Sequence, residues 1–159
     1  MQQIEVSVTV RATPAECFAV VADPANVPRY MSGVKTYEPL TADSRRKGAR
    51  FHSVAVIAGK SFEVEMEITS WKEGERIVAT AVKGPKTQGS WTIEEYDDGT
   101  CDVLLLHEYE LPGVFRLLPS GPINASIKRE LEKSLERLRK LIEASAASPT
   151  RRSSRGKKT

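Results

Sequence analysis

A single long helical stripe closes a chain that is otherwise patterned for β-strands. Near the C-terminal end, apolar residues recur every three or four positions, which predicts an amphipathic helix over about residues 120–146. Ahead of this segment, apolar and polar residues alternate with period two, which is typical of half-buried strands. Many strands and one long helix bury their apolar surfaces most simply when the helix lies on one face of a sheet. The stripe consists of Ile123, Ile127, Leu131, Leu135, Leu138 and Ile142, and Leu141 widens it.

The alternation defines seven predicted strands, separated by turns rich in Gly, Pro and Asp. Between the first and second strands, Thr13-Pro14-Ala15-Glu16 combines a capping box with proline at the first helical position. Asp23-Pro24 repeats the start signal, so two short helices are predicted there. The order is therefore one strand, two short helices, six strands and one long helix. The predicted strands cover residues 4–10, 34–40, 50–58, 61–71, 76–82, 87–96 and 101–111.

Composition and cysteine usage indicate one ordinary globular domain. The chain has 159 residues, of which 40% are hydrophobic and 28% are charged. No apolar run reaches the roughly 18 residues of a membrane span, and the N-terminal sequence lacks the features of a signal peptide. Cys17 and Cys101 form neither a disulfide framework nor a metal cluster. A cytoplasmic protein is expected.

The positive net charge belongs to the end of the chain. Of 24 Lys and Arg residues, five lie in the last nine positions, which leaves 19 against 21 Asp and Glu in the remainder. The predicted domain, residues 1–146, is therefore mildly acidic, which argues against a general nucleic-acid-binding face. Residues 147–159 are predicted to form a disordered tail, either merely solubilising (the favoured interpretation) or in weak contact with nucleic acid or anionic membranes. Its basic residues are Arg151, Arg152, Arg155, Lys157 and Lys158.

The last predicted hairpin allows two registers with opposite consequences. A two-residue turn at Asp98-Gly99 would pair Trp91 and Ile93 with Leu104 and Leu106. A three-residue loop ending in a left-handed Gly99 would place them instead with Val103, Leu105, His107 and Tyr109. The second register is favoured because it gathers Asp102, Glu108 and Glu110 on the solvent side. It also places His107 on the inner face.

Several segments of the sequence resemble the START-like (SRPBCC) superfamily, to which birch-pollen allergen belongs, and in particular its polyketide cyclase/dehydrase-like branch. The resemblance covers residues 1–146. It implies an α+β helix-grip fold, in which a curved seven-stranded antiparallel sheet carries the C-terminal helix across its concave face (β-α-α-β6-α). The segments are residues 12–16, 27–34, 48–51, 89–93 and 134–138, with Phe18 and the Asp23-Pro24 pair.

In such relatives the space between sheet and helix takes hydrophobic molecules such as polyketides, sterols, lipids or quinones. The resemblance therefore implies a ligand site lined by inward strand positions and by the helix stripe. The parity of residues 51–57 stays open, because Val54 and Val56 could also face inward. The implied lining is Tyr30, Phe51, Ser53, Ala55, Val64, Met66, Ala79, Trp91, Leu105, His107, Tyr109, Phe115, Ile127 and Leu131.

His107 is the one candidate for chemistry in this lining. It is interpreted either as an acid, base or hydrogen-bond donor toward a ligand, or as a neutral core histidine bonded to Tyr109, Ser53 or water. No nucleophile motif or phosphate loop is present. His52 and His107 have opposite predicted faces, so neither a metal site nor another cofactor is predicted.

Three functions are compatible with these observations. The first is a monomeric binding module for a small hydrophobic molecule, oriented by His107, Tyr109 and Ser53, with no stable protein partner. The second is a polyketide cyclase, aromatase or dehydratase in which His107 moves a proton. The third is an interaction protein associated with ribosomes or quinones, supported only by the basic tail. The sequence leaves open whether the protein turns over a substrate.

Overall fold

The computed structural model describes residues 1–147, so the predicted basic tail, apart from its first residue, lies outside the described residues. The described part follows the predicted order of elements. Among these residues no helix is long and apolar enough to cross a membrane. The strands are β1 (Gln2–Val10), β2 (Val34–Pro39), β3 (Arg50–Ile57), β4 (Lys60–Lys72), β5 (Arg76–Lys83), β6 (Thr87–Glu95) and β7 (Cys101–Tyr109); the helices are α1 (Pro14–Val21), α2 (Val27–Tyr30) and α3 (Ser120–Ala146).

The seven strands form one antiparallel sheet with the order β1-β7-β6-β5-β4-β3-β2. Helix α3 packs against β1, α1 and α2. The predicted helix-grip architecture, with two short helices and one long helix on a curved sheet, is confirmed. β1 pairs with β7 at one edge of the sheet, and β2 forms the opposite edge. The chain passes from one edge to the other through α1 and α2.

The short helices begin where the sequence places their signals. The backbone N–H of Glu16 donates to Thr13 Oγ1 at 3.2 Å, and the N–H of Thr13 donates to Glu16 Oε1 at 2.9 Å. Asp23 Oδ1 accepts from the N–H of Ala25 at 3.0 Å and starts a 3-10 turn, which leads directly into the single turn of α2. This compact pair of turns places Tyr30 in the core, where it is 1% exposed.

The last hairpin adopts the favoured register. A three-residue loop joins Tyr96 to Thr100, and Gly99 has a φ of 84°, the left-handed conformation that glycine adopts without strain. Trp91 therefore pairs with Leu105, and Gly89 pairs with His107. This register puts His107 on the concave face.

Strand β4 departs from simple alternation. Its inward positions run from Phe62 to Ile68 as the sequence predicts, but the register with β5 shifts between Ile68 and Ser70. A bulge of this kind adds one residue and reverses the parity of the residues after it. Trp71 consequently turns toward the concave side, where its ring packs edge-on against Phe18 with centroids 5.2 Å apart.

Helix α3 has a buried half and a raised half. Leu135, Leu138 and Ile142 are at most 1% exposed in its C-terminal part. Ile123 and Ile127, in the N-terminal part of the same stripe, are only half-buried. The C-terminal part of α3 therefore packs closely on the core, whereas its N-terminal part lies farther from it.

Candidate functional site

The concave face of the sheet and the helices enclose an apolar cavity of about 180 Å³, here named the inner cavity. Pro24, in the 3-10 turn before α2, forms part of its lining. Its lining contains no Lys, Arg, Asp or Glu. Ten of the fourteen predicted site residues line it: Tyr30, Phe51, Ser53, Ala55, Val64, Met66, Ala79, Trp91, Leu105 and His107.

A second space of about 170 Å³, the outer cavity, lies beneath the raised half of α3. Tyr109, Ile127 and Leu131 line it, and polar residues contribute more than they do in the inner cavity. The two cavities meet at a common set of residues, here named the junction, which places His107 between them. The junction consists of Met31, Val34, Ala55, Val64, Thr87 and His107.

Phe115 is the one predicted site residue that lines neither cavity. It is 3% exposed, and its ring packs against Phe62 with centroids 6.0 Å apart. The structure also resolves the parity of β3. Phe51, Ser53 and Ala55 line the inner cavity. Val54 lines neither cavity, and Val56 lines only the outer one.

Two aromatic residues of the inner cavity, Tyr37 and Trp71, are absent from the sequence-based lining. Tyr37 stacks on Phe51 with centroids 4.6 Å apart and an interplanar angle of 15°. Trp71 reaches the cavity because of the β4 bulge, and Tyr37 follows a register irregularity between Val34 and Thr36. The further lining residues not predicted include Met31, Ile68, Ile77, Thr87 and Gly89.

His107 presents a neutral imidazole to both cavities. Its ring stacks on Tyr109, with centroids 5.2 Å apart and an interplanar angle of 26°. Burial lowers the pKa of His107 from 6.5 to about 4, because the cavity solvates an imidazolium poorly. At neutral pH the ring therefore offers one N–H donor and one bare nitrogen acceptor.

Within residues 1–147, no side chain or backbone group makes a hydrogen bond to the His107 ring. The hydroxyl of Tyr109 donates instead to Asn124 Oδ1 on α3 at 2.6 Å. Gly89, the partner of His107 across β6 and β7, adds no side chain beside the ring. In this structure His107 is therefore not bonded to Tyr109 or Ser53, and the remaining alternative, a neutral core histidine bonded to water, stays a prediction.

The other polar groups of the inner cavity are few. Tyr30 Oη donates to the carbonyl oxygen of Val21 at 3.4 Å, and its ring packs edge-on against Trp91. Ser53 is 4% exposed, on the strand next to β4. Burial raises the pKa of Tyr30 and Tyr37, so both hydroxyls stay protonated. These groups can orient a ligand but carry no charge.

One contact ties α3 to the loop after α2 at the edge of the outer cavity. The hydroxyl of Ser32 donates to Glu130 Oε2, and the N–H of Ser32 lies 3.4 Å from Ser134 Oγ. Ser134 in turn donates to the carbonyl oxygen of Glu130 at 2.8 Å. This contact fixes the raised half of α3 over the junction.

In the described residues, no group of three or more His, Cys, Asp or Glu side chains is placed to bind a metal.

The sequence of residues 1–143 matches a family described as polyketide cyclase / dehydrase and lipid transport. It matches no curated protein. Among solved structures, TTHA0849 from Thermus thermophilus is 19% identical with a TM-score of 0.78, over 92% of this chain and 100% of that one. A START superfamily protein from Mycobacterium smegmatis is 21% identical with a TM-score of 0.62, over 91% and 96%.

A third similar structure is the di-domain ARO/CYC StfQ from the steffimycin biosynthetic pathway. It is 22% identical with a TM-score of 0.64, over 88% of this chain and 44% of that one. The TM-scores establish a common fold, and at identities this low the similarity shows the fold alone.

Proposed function

Because the chain belongs to the polyketide cyclase / dehydrase and lipid transport family, we propose that it binds a small hydrophobic molecule in the inner cavity. One observation supports this proposal, namely an apolar cavity between the sheet and the helices with a few uncharged polar groups. Small-molecule sites in proteins have this composition, because apolar walls supply affinity and isolated polar atoms fix orientation. In this proposal the protein is a monomeric, cytoplasmic carrier of that molecule.

The aromatic lining suits a ligand with a ring system. Tyr37, Phe51, Trp71 and Trp91 all border the inner cavity. Aromatic side chains attract rings through offset-stacked and edge-to-face contacts, in addition to the area that they bury. Trp71 and Trp91 are the only two tryptophans of the chain, so intrinsic fluorescence reports on occupancy of this space.

His107 and Ser53 orient the ligand in this proposal. They lie on β7 and β3, on opposite sides of the concave face. The neutral imidazole of His107 can donate to a carbonyl oxygen or accept from a hydroxyl group. Tyr109 acts differently from the sequence-based hypothesis: its hydroxyl holds Asn124, and its ring supports that of His107.

Turnover of a polyketide is the second candidate function, and the family description and the similarity to StfQ favour it. His107 would then transfer a proton within the cavity. A general acid or base works best with a pKa near the working pH, and burial holds the pKa of His107 at about 4. Binding is therefore the better supported function. The third hypothesis depends on the basic tail, which lies outside the described residues.

A cavity-filling variant tests the binding proposal. The probe is 6-propionyl-2-dimethylaminonaphthalene (Prodan), an uncharged naphthyl ketone whose emission shifts to the blue in apolar surroundings. We expect saturable one-to-one binding with quenching of tryptophan fluorescence. Ala79→Phe fills the inner cavity and should weaken binding about tenfold or more, a loss of about 1.4 kcal/mol or more.

Ala125→Phe is the matched control, since Ala125 is exposed on α3 and lines neither cavity. It should bind Prodan like the wild type. Equal affinity of Ala79→Phe and wild type would show that the inner cavity is not the binding site. Native mass spectrometry and organic extraction of the purified protein identify any natural ligand, and a screen of His107→Ala for lost turnover tests the enzyme candidate.

A further inference from the structure

The charges around the two cavities are distributed unevenly. The inner cavity has no charged side chain. Three border the outer cavity, namely Lys86, Glu110 and Glu130. The ammonium group of Lys86 lies 3.7 Å from Glu110 Oε2, and Glu130 accepts the hydroxyl of Ser32. The single cation of this lining is thus already paired, and the acids outnumber it.

A carboxylate ligand would find no partner in this arrangement. In the inner cavity it would be buried without a counter-charge, which is among the most unfavourable states of an ionised group. In the outer cavity it would face Glu110 and Glu130, and it would compete with Glu110 for Lys86. Neither cavity therefore offers a buried carboxylate the opposite charge and hydrogen bonds that would offset its loss of hydration.

An uncharged oxygen fits the junction. His107 lies there with no hydrogen bond from the described residues, and its stacking on Tyr109 fixes the plane of the ring. A ketone, ester or aldehyde oxygen can accept its N–H, and a hydroxyl group can donate to its bare nitrogen. Leaving either ligand group unbonded in an apolar cavity would be costly, so this contact contributes specificity.

We propose that the site selects uncharged, oxygen-bearing ring compounds, such as aryl ketones and alcohols, and rejects carboxylates of the same skeleton. The rings occupy the inner cavity, and the oxygen lies at His107 in the junction. This inference rests on the proposed function, because it specifies the ligand of the same site.

A pair of isosteric competitors tests the selection at pH 7.5. 2-Acetylnaphthalene and 2-naphthoate share the naphthalene ring and the carbonyl group. The ketone carries a methyl group where the carboxylate carries an ionised oxygen. Each is titrated against bound Prodan on the full-length protein. We expect the ketone to displace the probe at a concentration at least about tenfold lower than the carboxylate, a difference that corresponds to about 1.4 kcal/mol.

Two variants examine the cause of the selection. His107→Leu keeps the site apolar and removes the donor, so the ketone should lose affinity while naphthoate does not gain. Thr87→Lys adds a cation at the junction, and Thr87→Gln is its uncharged control. The lysine variant alone should bind naphthoate several-fold more tightly than the wild type.

The outcomes separate the two proposals. Equal or tighter binding of naphthoate to the wild type, with Prodan bound normally, overturns the selection for uncharged ligands and leaves the binding function standing. No gain of naphthoate binding in a folded Thr87→Lys also counts against the electrostatic reasoning. Absence of Prodan binding to the wild type overturns the binding function, and the selection falls with it.

Discussion

Replacing His107 with leucine is expected to change how the stability of the fold depends on pH. Burial lowers the pKa of His107 from 6.5 to about 4. Between these values the unfolded chain binds a proton on this residue and the folded protein does not. The free energy of unfolding therefore rises with pH across this window and falls as the solution is acidified from pH 6.5 toward pH 4.

The size of the effect follows from the shift. A fall in pKa from 6.5 to about 4 corresponds to about 3 kcal/mol at most, all of it lost below pH 4. The ring is partly open to the cavities, which makes this figure an upper limit. At pH 5 the expected loss is about 2 kcal/mol relative to pH 7.5, where the residue is neutral in both states.

Urea unfolding followed by tryptophan fluorescence measures this loss. The free energy of unfolding is determined at pH 7.5 and pH 5 for the wild type and for His107→Leu, and the two pH-dependent changes are subtracted. The subtraction removes the contribution of the carboxyl groups that both proteins share. His52→Leu removes the other histidine, which is half-exposed beside Glu63, and controls for the substitution itself.

The wild type should lose up to about 2 kcal/mol more than His107→Leu between these pH values. Identical changes in the two proteins would refute the reasoning, because they would mean that His107 is solvated in the fold much as it is in the unfolded chain. An NMR titration of the His107 ring gives the same answer independently, with a midpoint near 4 expected.

Three further predictions about stability are tested by urea unfolding. Leu138→Ala removes a fully buried side chain from the α3 stripe and should cost about 3 kcal/mol, whereas Leu117→Ala, at a position 90% exposed, should stay within about 0.5 kcal/mol. Gly84→Ala should destabilise the fold more than Gly99→Ala. Both glycines have positive φ, but only at Gly84 would the added Cβ lie 2.4 Å from a backbone oxygen. Equal losses of stability in the two variants would contradict this prediction. Thr13→Ala breaks the capping box of α1 and should cost about 1 kcal/mol; an unchanged stability would mean that α1 depends on packing alone.

The sequence predicts the sheet and the last hairpin because their signals are local. Alternation over residues 101–109 sets the inward face of β7, and Gly99 supplies the left-handed residue that a three-residue loop requires. These two features determine the position of His107. The α3 stripe is equally visible, since each of its positions follows from helical spacing alone.

Two aromatic residues of the site could not be predicted in this way. Trp71 and Tyr37 reach the inner cavity through register irregularities in β4 and β2, which no Gly or Pro marks in the sequence. A bulge depends on how two strands fit together, so alternation on one strand cannot reveal it. The half-burial of Ile127 likewise reflects where α3 lifts from the sheet, a property of tertiary packing.

The central claim is that the inner cavity is the ligand site, and intermolecular NOEs test it most directly. Protein with labelled methyl groups is saturated with 2-acetylnaphthalene, and contacts from the ring protons are recorded. The account predicts NOEs to the methyl groups of Ala55, Val64 and Ala79. NOEs confined to the exposed side chains of Leu117 and Leu118 would place the ligand on the surface and contradict the account.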